Sequence, residues 1–586
     1  MPAVDRLSRR LWSVVRSHLA CGEKATQGDT KRTHNYGKVD TFRSWQAVRG
    51  LDLLMDDAAP VTHAAAESSV ESNSTGVQRP AVSTPRTGSL GSGVVILLLI
   101  TIVQRGIGFV RSLSFCRSLD PDQLGQWDLA FSFLVLAAPL AVLGLPGSFG
   151  RYVEYFRQRG ALRLFIARTA LIAGGLSIAT IALMAVAQER VAQWVFGTGA
   201  NPGLLLWLLV CLVTVIAFNF LTSLLTALRQ YQLISRMQLS QTLLFAGVSA
   251  ALLAWWQPRV ESVVAAYALA CGLTIVGVSV ALVRLWREQP PSLGAMSYGD
   301  FAFKLAPFAF WLWVTNWAAN SFEMVDRWML VHYGGFDAAE ALERVGQYHS
   351  ARVLPLLLYG VADTITNTLT PHLSADWEAG RREQVANRLN LALKLIGIGF
   401  TLVSIAVLWF SPLLFHVALH NRFAGGEAIL GWTLAYSVWT AWALLSYNYL
   451  WCAEKSHSVC VSLLVGLAIS VGLNLWLIPQ HGLVGAVWSQ TAAKFVALVV
   501  LAALCHRAGW KLDRRLLSLL FVPLLLPCGG VATLVGLAVV TCGLGPLPGV
   551  FTSFERRELM GHAEKLARRL GRVLPQRLLR SAQQPG

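Results

Sequence analysis

The chain has 586 residues, of which 54% are hydrophobic and 14% are charged, and its mean hydropathy is +0.51. A soluble globular protein carries about 25% charged residues, so this composition excludes an ordinary water-facing surface and indicates an integral membrane protein. The formal net charge of +17 lies largely in the termini and in short loops, which is typical of membrane topology signals rather than of nucleic-acid binding.

Residues 1–92 differ in composition from the rest of the chain. From Asp56 to Ser92 the sequence is rich in Ala, Ser, Thr, Pro and Gly, which is typical of a disordered tail. No stretch before it is long enough for the apolar core of a signal peptide. We therefore predict that residues 1–92 form a disordered, basic, cytoplasmic tail.

Twelve apolar segments follow the tail, each close to the roughly 20 residues that a helix needs to cross a bilayer. Their continuous character favours helices over a barrel, whose strands alternate in short blocks. We place the predicted spans at 93–115, 128–150, 164–187, 203–228, 237–256, 260–283, 302–323, 349–372, 389–413, 428–451, 457–478 and 482–505. They divide into an N-terminal six-helix lobe (93–290) and a C-terminal six-helix lobe (291–510).

The region after the twelfth span is apolar but contains helix-breaking residues. Pro523, Pro527, Gly529 and Gly530 interrupt 516–552, so 511–552 is predicted to be an extra hydrophobic hairpin or span. Residues 553–586 are amphipathic and rich in Arg, and we predict a basic cytoplasmic tail.

Basic residues concentrate in the loops that follow even-numbered spans. They are Arg151, Arg157, Arg159, Arg163, Arg229, Arg236, Arg284, Arg287, Arg381, Arg382, Arg388, Arg507, Lys511, Arg514 and Arg515. The positive-inside rule makes these loops cytoplasmic and places both termini in the cytoplasm. An even number of spans is then required, so we favour fourteen, and twelve spans plus a re-entrant hairpin fit nearly as well.

The two halves of the chain share sequence features at a spacing of about 220 residues. Leu124–Ala130 (LGQWDLA) opens the second span, and Val345–Ala351 (VGQYHSA) opens the eighth. Ala227–Gln230 before the fifth span corresponds in the same way to Cys452–Lys455 before the eleventh. Six spans separate the copies, so the halves have the same orientation and are related by an axis along the membrane normal, as in transporters with parallel repeats.

The first span carries charged residues where they are energetically costly. An arginine at the centre of a membrane helix costs about 2.5 to 3.5 kcal/mol on insertion scales. Gln104, Arg105 and Arg111 lie on one polar stripe with Thr101 and Gly108, which indicates that this face lines a hydrated cavity. The alternative is that Arg105 pairs with a carboxylate and only holds helices together.

The second half carries similar polar faces. In the seventh span, Asn316, Asn320, Glu323 and Arg327 share one face, with Asp326 adjacent. In the eighth, Arg352 and Asp363 share a face with Tyr359, and Lys494 lies midway along the twelfth. We expect Arg352, Lys494, Asn316 and Asn320 to join the cavity, and Asp363 or Glu323 to couple transport to an ion. For Asp326 and Arg327 an ion pair at the outer rim is an equal alternative.

The sequence contains no clear signal of an enzyme or a metal site. A GxxxxGK[ST] nucleotide-binding motif is absent, and the nine scattered cysteines form no CxxC pair. His416 and His420 have helical spacing, but a third metal ligand is lacking. We therefore expect no catalytic residues, no metal and no cofactor.

Several short motifs resemble one family of membrane proteins. They are Val103–Arg105, Phe109–Arg111, Leu119–Trp127, Leu143–Gly147, Asp326–Arg327 followed by Val345–Tyr348, and Asn474–Leu475 with Ile478–Ala486. In this order they resemble the polysaccharide (O-antigen-type) flippases of the multidrug/oligosaccharidyl-lipid/polysaccharide (MOP) exporter superfamily. The resemblance covers about 93–510.

The resemblance implies an all-α membrane protein with 12–14 spans in two pseudo-symmetric lobes around a central cavity. It also implies alternating-access transport of a polyprenyl-pyrophosphate-linked oligosaccharide across the inner (cytoplasmic) membrane, for lipopolysaccharide or another surface polysaccharide. Cavity arginines engage the pyrophosphate in such flippases, and Arg105 and Arg111 match them. The expected partners are this lipid-linked oligosaccharide, membrane lipids and other polysaccharide-assembly proteins, with no nucleic acid.

Two other functions remain open from the sequence. A drug or small-cation exporter of the same superfamily would have a cavity rich in carboxylates. A membrane glycosyltransferase, polymerase or ligase would need a sizeable extracytoplasmic loop and an acid–base pair.

Overall fold

The structure is a computed structural model that describes residues 90–197, 202–288, 298–542 and 551. The tail predicted at 553–586 lies outside the described residues. Of the tail predicted at 1–92, only residues 90–92 are described. The described ranges contain fifteen α-helices and no strand. This confirms the predicted all-α fold class.

The N-terminal lobe contains six long helices and two short ones. In chain order they are α1 (Leu90–Ser118), α2 (Pro121–Ala141), α3 (Phe149–Gln158), α4 (Leu162–Val186), α5 (Gln188–Phe196), α6 (Pro202–Ala227), α7 (Tyr231–Trp255) and α8 (Val260–Glu288).

The C-terminal lobe contains longer helices, and a short helical segment follows it. These helices are α9 (Tyr298–Tyr333), α10 (Ala338–Glu378), α11 (Arg382–Pro412), α12 (Ala424–Cys452), α13 (Ser456–Arg507), α14 (Arg515–Phe521) and α15 (Gly530–Cys542). Eight of the described helices are long and apolar enough to cross a membrane by length and composition. The chain is therefore a multi-pass membrane protein.

The second helix differs from the predicted span 128–150. Helix α2 begins earlier, at Pro121, a residue whose fixed φ suits the first helical turn. It ends at Ala141 because Leu143 (φ 48°) and Gly144 (φ 67°) adopt left-handed conformations. A β-carbon at Gly144 would lie 2.9 Å from the carbonyl oxygen of Ala309, so close packing against α9 requires glycine here.

The predicted break between the eleventh and twelfth spans is present within α13. Gly482 has φ 56° and ψ −126°, which interrupts the helix. The Ser470 hydroxyl in the first half donates a hydrogen bond to Gln490 Oε1 in the second half at 3.2 Å. The two halves therefore pack side by side, and the chain reverses direction near Gly482.

The internal repeat extends to the backbone of the connecting turns. Arg229, between α6 and α7, and Glu454, between α12 and α13, both have positive φ (59° and 56°), and they occupy the same place in the two four-residue segments matched from the sequence. Gly160 and Gly380, about 220 residues apart, likewise have φ of 63° and 74° before α4 and α11. Similar turns at equivalent positions are what two related halves of the chain would have.

The segment after the lobes folds into short helical pieces. Helix α14 has 7 residues, a 7-residue 3-10 helix (Val522–Cys528) continues it, and α15 has 13 residues. The chain turns at Gly529, whose φ is 108°. Each arm is shorter than the roughly 20 residues of a membrane crossing.

Candidate functional site: a cavity and the seam between lobes

A large cavity lies between the N-terminal lobe and α10. Its volume is about 1410 Å³, and residues of α1, α2, α6, α7, α8 and α10 line it. On α10 the lining runs from Val353 to His372, which at the helical rise corresponds to about 28 Å. The cavity is thus long enough to hold an extended ligand along the helix.

Arg105 faces this cavity, as the polar stripe on the first span predicts. Its Nη2 atom lies 3.7 Å from Asp363 Oδ2, and the two side chains are 43% and 41% exposed. A β-carbon at Gly360 would lie 2.5 Å from Arg105 Nε, so the glycine makes room for the arginine. An exposed ion pair of this length contributes little free energy, which leaves Arg105 available to another anion.

Arg111 lines the cavity six residues further along α1, which is a little under two helical turns. Its guanidinium carbon lies 4.2 Å from the ring centroid of Phe245 and 6.0 Å from that of Phe115. The buried Nε atom has no hydrogen-bond partner among the described residues. Because a buried donor without a partner is costly, Arg111 is a strong candidate for binding an anion that enters the cavity.

The remaining cavity wall combines aromatic rings with amides. Gln104 lines it as predicted, and Asp363 is its one lining carboxylate within the described ranges. The aromatic lining residues are Phe109, Phe131, Phe218, Phe245, Tyr267 and Tyr359. With two arginines and one carboxylate the wall has a net positive charge. Its surface is otherwise mostly apolar with few polar groups, and such surfaces are typical of ligand sites.

Five residues predicted for the cavity or for ion coupling lie elsewhere. They are Arg352, Lys494, Asn316, Asn320 and Glu323, none of which lines the cavity. Asn316 is exposed on α9, and Asn320 Nδ2 lies 3.5 Å from the carbonyl oxygen of Val135 on α2. Arg352 belongs to a buried polar seam between the lobes, and Lys494 and Glu323 pair with each other beside it.

The seam is centred on Asp128 of α2 and Arg327 of α9. Arg327 Nη1 donates to Asp128 Oδ2 at 2.6 Å and to the Ser132 hydroxyl at 3.0 Å. The Asp128 and Arg327 side chains are only 6% and 5% exposed. Arg327 also donates through Nη2 to the main-chain oxygen of Glu323. Arg327 Nε also lies 3.6 Å from Asp326 Oδ1, so the ion pair expected at the outer rim is present, but it is buried and Arg327 shares it with Asp128 of the other lobe.

Helix α10 adds three side chains to the seam. His349 Nδ1 lies 2.7 Å from Asp128 Oδ1, and Arg352 Nη1 lies 3.9 Å from Asp128 Oδ2. The Tyr348 hydroxyl donates to Asp326 Oδ2 at 2.6 Å. Arg352 therefore faces the buried carboxylate of Asp128 and does not line the cavity.

Lys494 and Glu323 form an ion pair with each other. Lys494 Nζ also lies 4.4 Å from the ring centroid of Phe322. In the same helix half, Gln490 Nε2 donates to the main-chain oxygen of Phe322 at 3.0 Å. From the sequence we could place each charged residue in its span but could not predict that the two pair. The packing of α13 against α9 brings them together.

Two glycines allow the lobes to touch beside this seam. A β-carbon at Gly125 of α2 would lie 1.9 Å from the carbonyl oxygen of Leu342, and one at Gly346 of α10 would lie 1.8 Å from that of Pro121. Arg422, before α12, also forms an ion pair with Asp120, between α1 and α2. These contacts close the molecule at the end where α2 and α10 begin.

Sequence reasoning missed Asp128 and His349 as functional candidates. Asp128 is the fourth residue after Leu124 in the first copy of the repeated motif, and His349 is the fourth residue after Val345 in the second copy. The two residues are therefore at equivalent positions. The pairing of a carboxylate with an imidazole at equivalent positions was the signal that could have found them.

The chain matches a known protein family and known structures. Residues 90–376 match the family model described as polysaccharide biosynthesis protein. A comparison with curated protein sequences gave no match.

Several solved structures of membrane transporters match this chain. The lipid II flippase MurJ, in an inward closed conformation, matches with a TM-score of 0.58 and 12% identity, over 77% of this chain and 99% of that chain. An inward-facing multidrug resistance MATE family transporter of the MOP superfamily has a TM-score of 0.53 and 11% identity, over 71% of this chain and 98% of its own. A MOP superfamily transporter from Pyrococcus furiosus has a TM-score of 0.51 and 14% identity, over 71% and 94%.

At these identities the structural matches establish the fold, and the family match adds a sequence relationship over the first lobe and the start of the second. The resemblance predicted from the sequence motifs is therefore confirmed. Residues 90–376 of this chain are thus similar to the polysaccharide biosynthesis protein family, and its fold is similar to that of solved MOP superfamily transporters.

Proposed function

We propose that this protein is a flippase that moves a polyprenyl-pyrophosphate-linked oligosaccharide across the cytoplasmic membrane by alternating access. The head group enters the cavity while the polyprenyl chain stays in the bilayer. Separation of the lobes at the opposite end then releases the head group to the other side.

The observation that carries this proposal is the position of two arginines on one cavity wall. Arg105 and Arg111 both line the cavity, and the single lining carboxylate among the described residues, Asp363, lies beside Arg105. Arginine suits a pyrophosphate because its planar donors contact two oxygens at once and its charge persists when partly desolvated. The net positive wall disfavours the alternative of a cation exporter.

The distribution of basic loops supports the direction of transport. If the loops after even-numbered spans are cytoplasmic, the contacts of Gly125 and Gly346 close the outer end. The cavity then extends toward the cytoplasmic end of α10, where His372 lies. This arrangement suits loading from the inner leaflet, where a lipid-linked glycan is assembled.

The test is a flipping assay with the full-length protein in liposomes that contain a lipid-linked oligosaccharide. We expect Arg105→Gln and Arg111→Gln each to reduce the flipping rate strongly, because each removes a phosphate contact inside the cavity. Arg117→Gln is the matched control, since Arg117 is exposed on the same helix and does not line the cavity. Expression and thermal stability are measured for all three variants.

Cells that lack the protein give a second measurement. The proposal predicts that a lipid-linked glycan accumulates in the inner leaflet. Accumulation of single repeat units on the outer side would instead indicate a polymerase. Normal flipping by both cavity variants would show that these arginines do not bind the substrate.

A further inference from the structure

One contact in the seam is made by a histidine side chain. Among the described seam residues His349 is the one imidazole, the side-chain type that in general exchanges a proton near neutral pH. Its Nδ1 atom is 2.7 Å from Asp128 Oδ1, and its side chain is 11% exposed. The imidazole therefore forms a nearly buried hydrogen bond from α10 to a carboxylate on α2, which belongs to the other lobe.

The charges around this contact balance only when His349 is neutral. The acids are Asp128 on α2 with Glu323 and Asp326 on α9, and the cations are Arg327 on α9, Arg352 on α10 and Lys494 on α13. Tyr348 on α10 and Tyr436 on α12 are the neighbouring phenols. Three acids against three cations sum to zero, so a proton on His349 adds one unbalanced positive charge to the seam.

The location of the pair makes this proton relevant to opening. Asp128 belongs to the N-terminal lobe, whereas Arg327, His349 and Arg352 belong to the C-terminal lobe. Separation of the lobes would break all of Asp128's contacts with these three residues and admit water. A protonated imidazole is then hydrated, whereas in the closed seam it competes with two arginines for one carboxylate.

We propose that His349 is a proton-binding site whose protonation favours separation of the two lobes at the closed end. This inference rests on the proposed function only in assuming that the lobes move apart there. It assigns the pH response to His349, whereas the sequence pointed to Asp363 or Glu323 for ion coupling.

The experiment measures the distance between the lobes as a function of pH. Spin labels are attached to Ser118→Cys on α1 and Glu343→Cys on α10, both exposed near the closed end, in the full-length chain with its native cysteines replaced by serine. Electron–electron distance distributions are recorded in lipid nanodiscs between about pH 8 and about pH 5.5, a range that includes the ordinary histidine pKa. We expect the closed population to decrease several-fold as the pH falls.

Three variants decide whether His349 causes this response. His349→Gln keeps an N–H donor for Asp128 but does not titrate, so its closed population should not change with pH. His349→Lys carries a permanent charge and should favour the open distance throughout. His481→Gln is the control, because His481 is an exposed histidine on α13 and its loss should leave the response intact.

Two results would overturn the inference: a wild-type distance that does not change with pH, or an unchanged pH response in His349→Gln. If His349→Gln does not fold, His349→Asn provides the second test, since its amide does not titrate and its closed population should likewise not change with pH. Failure of the proposed function is recognised separately, by normal flipping in Arg105→Gln and Arg111→Gln. A chain that moves a different substrate would still show the pH-dependent distance.

Discussion

Asp128 and His349 are each other's equivalents in the two halves of the chain, and their side chains meet at 2.7 Å. A contact between equivalent residues is expected only near the axis that relates the halves, as at a two-fold interface. The interval of 221 residues between them also separates Gly125 from Gly346, which pack beside the same axis. The repeated motif therefore forms the contact between its own two copies.

The close contact at Gly125 and Gly346 predicts that adding even a methyl group at either position will disturb closure of the lobes. Gly125→Ala or Gly346→Ala places a methyl group within 2 Å of a carbonyl oxygen of the facing helix, and overpacking of this kind costs about 1–3 kcal/mol. The fraction of molecules that show the closed distance between spin labels at positions 118 and 343 should decrease. Gly174→Ala, with no atom within 4 Å of the added carbon, should behave as wild type. Unchanged closure in both seam variants would contradict this prediction.

Loss of one partner in the buried seam should destabilise the protein strongly. Arg327→Met leaves Asp128 buried without its main cation, and breaking a buried pair in this way costs about 3–5 kcal/mol. The double variant with Asp128→Leu should cost less than the sum of the two single changes. Thermal unfolding in detergent measures the effect. Arg344→Met, which breaks an exposed pair with Glu340, should change stability by less than about 1 kcal/mol.

The contact of Arg105 with Asp363 predicts that the carboxylate competes with substrate. If the proposed function is correct, Asp363→Asn frees Arg105 and should tighten binding of a polyprenyl pyrophosphate. An exposed pair contributes up to about 1 kcal/mol, which corresponds to an affinity gain of at most about fivefold. Titration followed by tryptophan fluorescence measures this change. Asp363→Glu keeps the negative charge and should bind as wild type, and weaker binding by Asp363→Asn would show that the acid assists the site.

The segment after the lobes should depend on one buried lysine. Lys394 on α11 is 0% exposed, and its Nζ lies 2.5 Å from Asp513 Oδ2. Asn390 Nδ2 donates to the main-chain oxygen of Lys511 at 3.0 Å on the same face. Lys394→Met should therefore increase hydrogen exchange in residues 510–542 while the two lobes stay protected.

The control for this prediction is Lys455→Met, at an exposed position between α12 and α13. Its exchange in residues 510–542 should match that of the wild type. Equal protection of this segment in Lys394→Met would show that apolar packing alone holds it against α11.

The sequence by itself determined the features that depend on neighbouring residues along one helix. Apolar length set the approximate spans, and helical spacing placed Gln104, Arg105 and Arg111 on a common face, which the structure places on the cavity wall. The repeat was visible because both copies kept similar residues where α2 and α10 begin. These signals are local, since a membrane helix satisfies its own backbone hydrogen bonds.

Only the tertiary structure decided which charges meet. Lys494 pairs with Glu323, 171 residues away in the sequence. Arg327 pairs with Asp128, 199 residues away, in a buried position rather than at an exposed outer rim. The end of α2 at Ala141 likewise depends on close contact of Gly144 with α9. A buried charge has a strong free-energy requirement for a partner, but the identity of that partner depends on how distant helices pack, and helical periodicity contains no information about this.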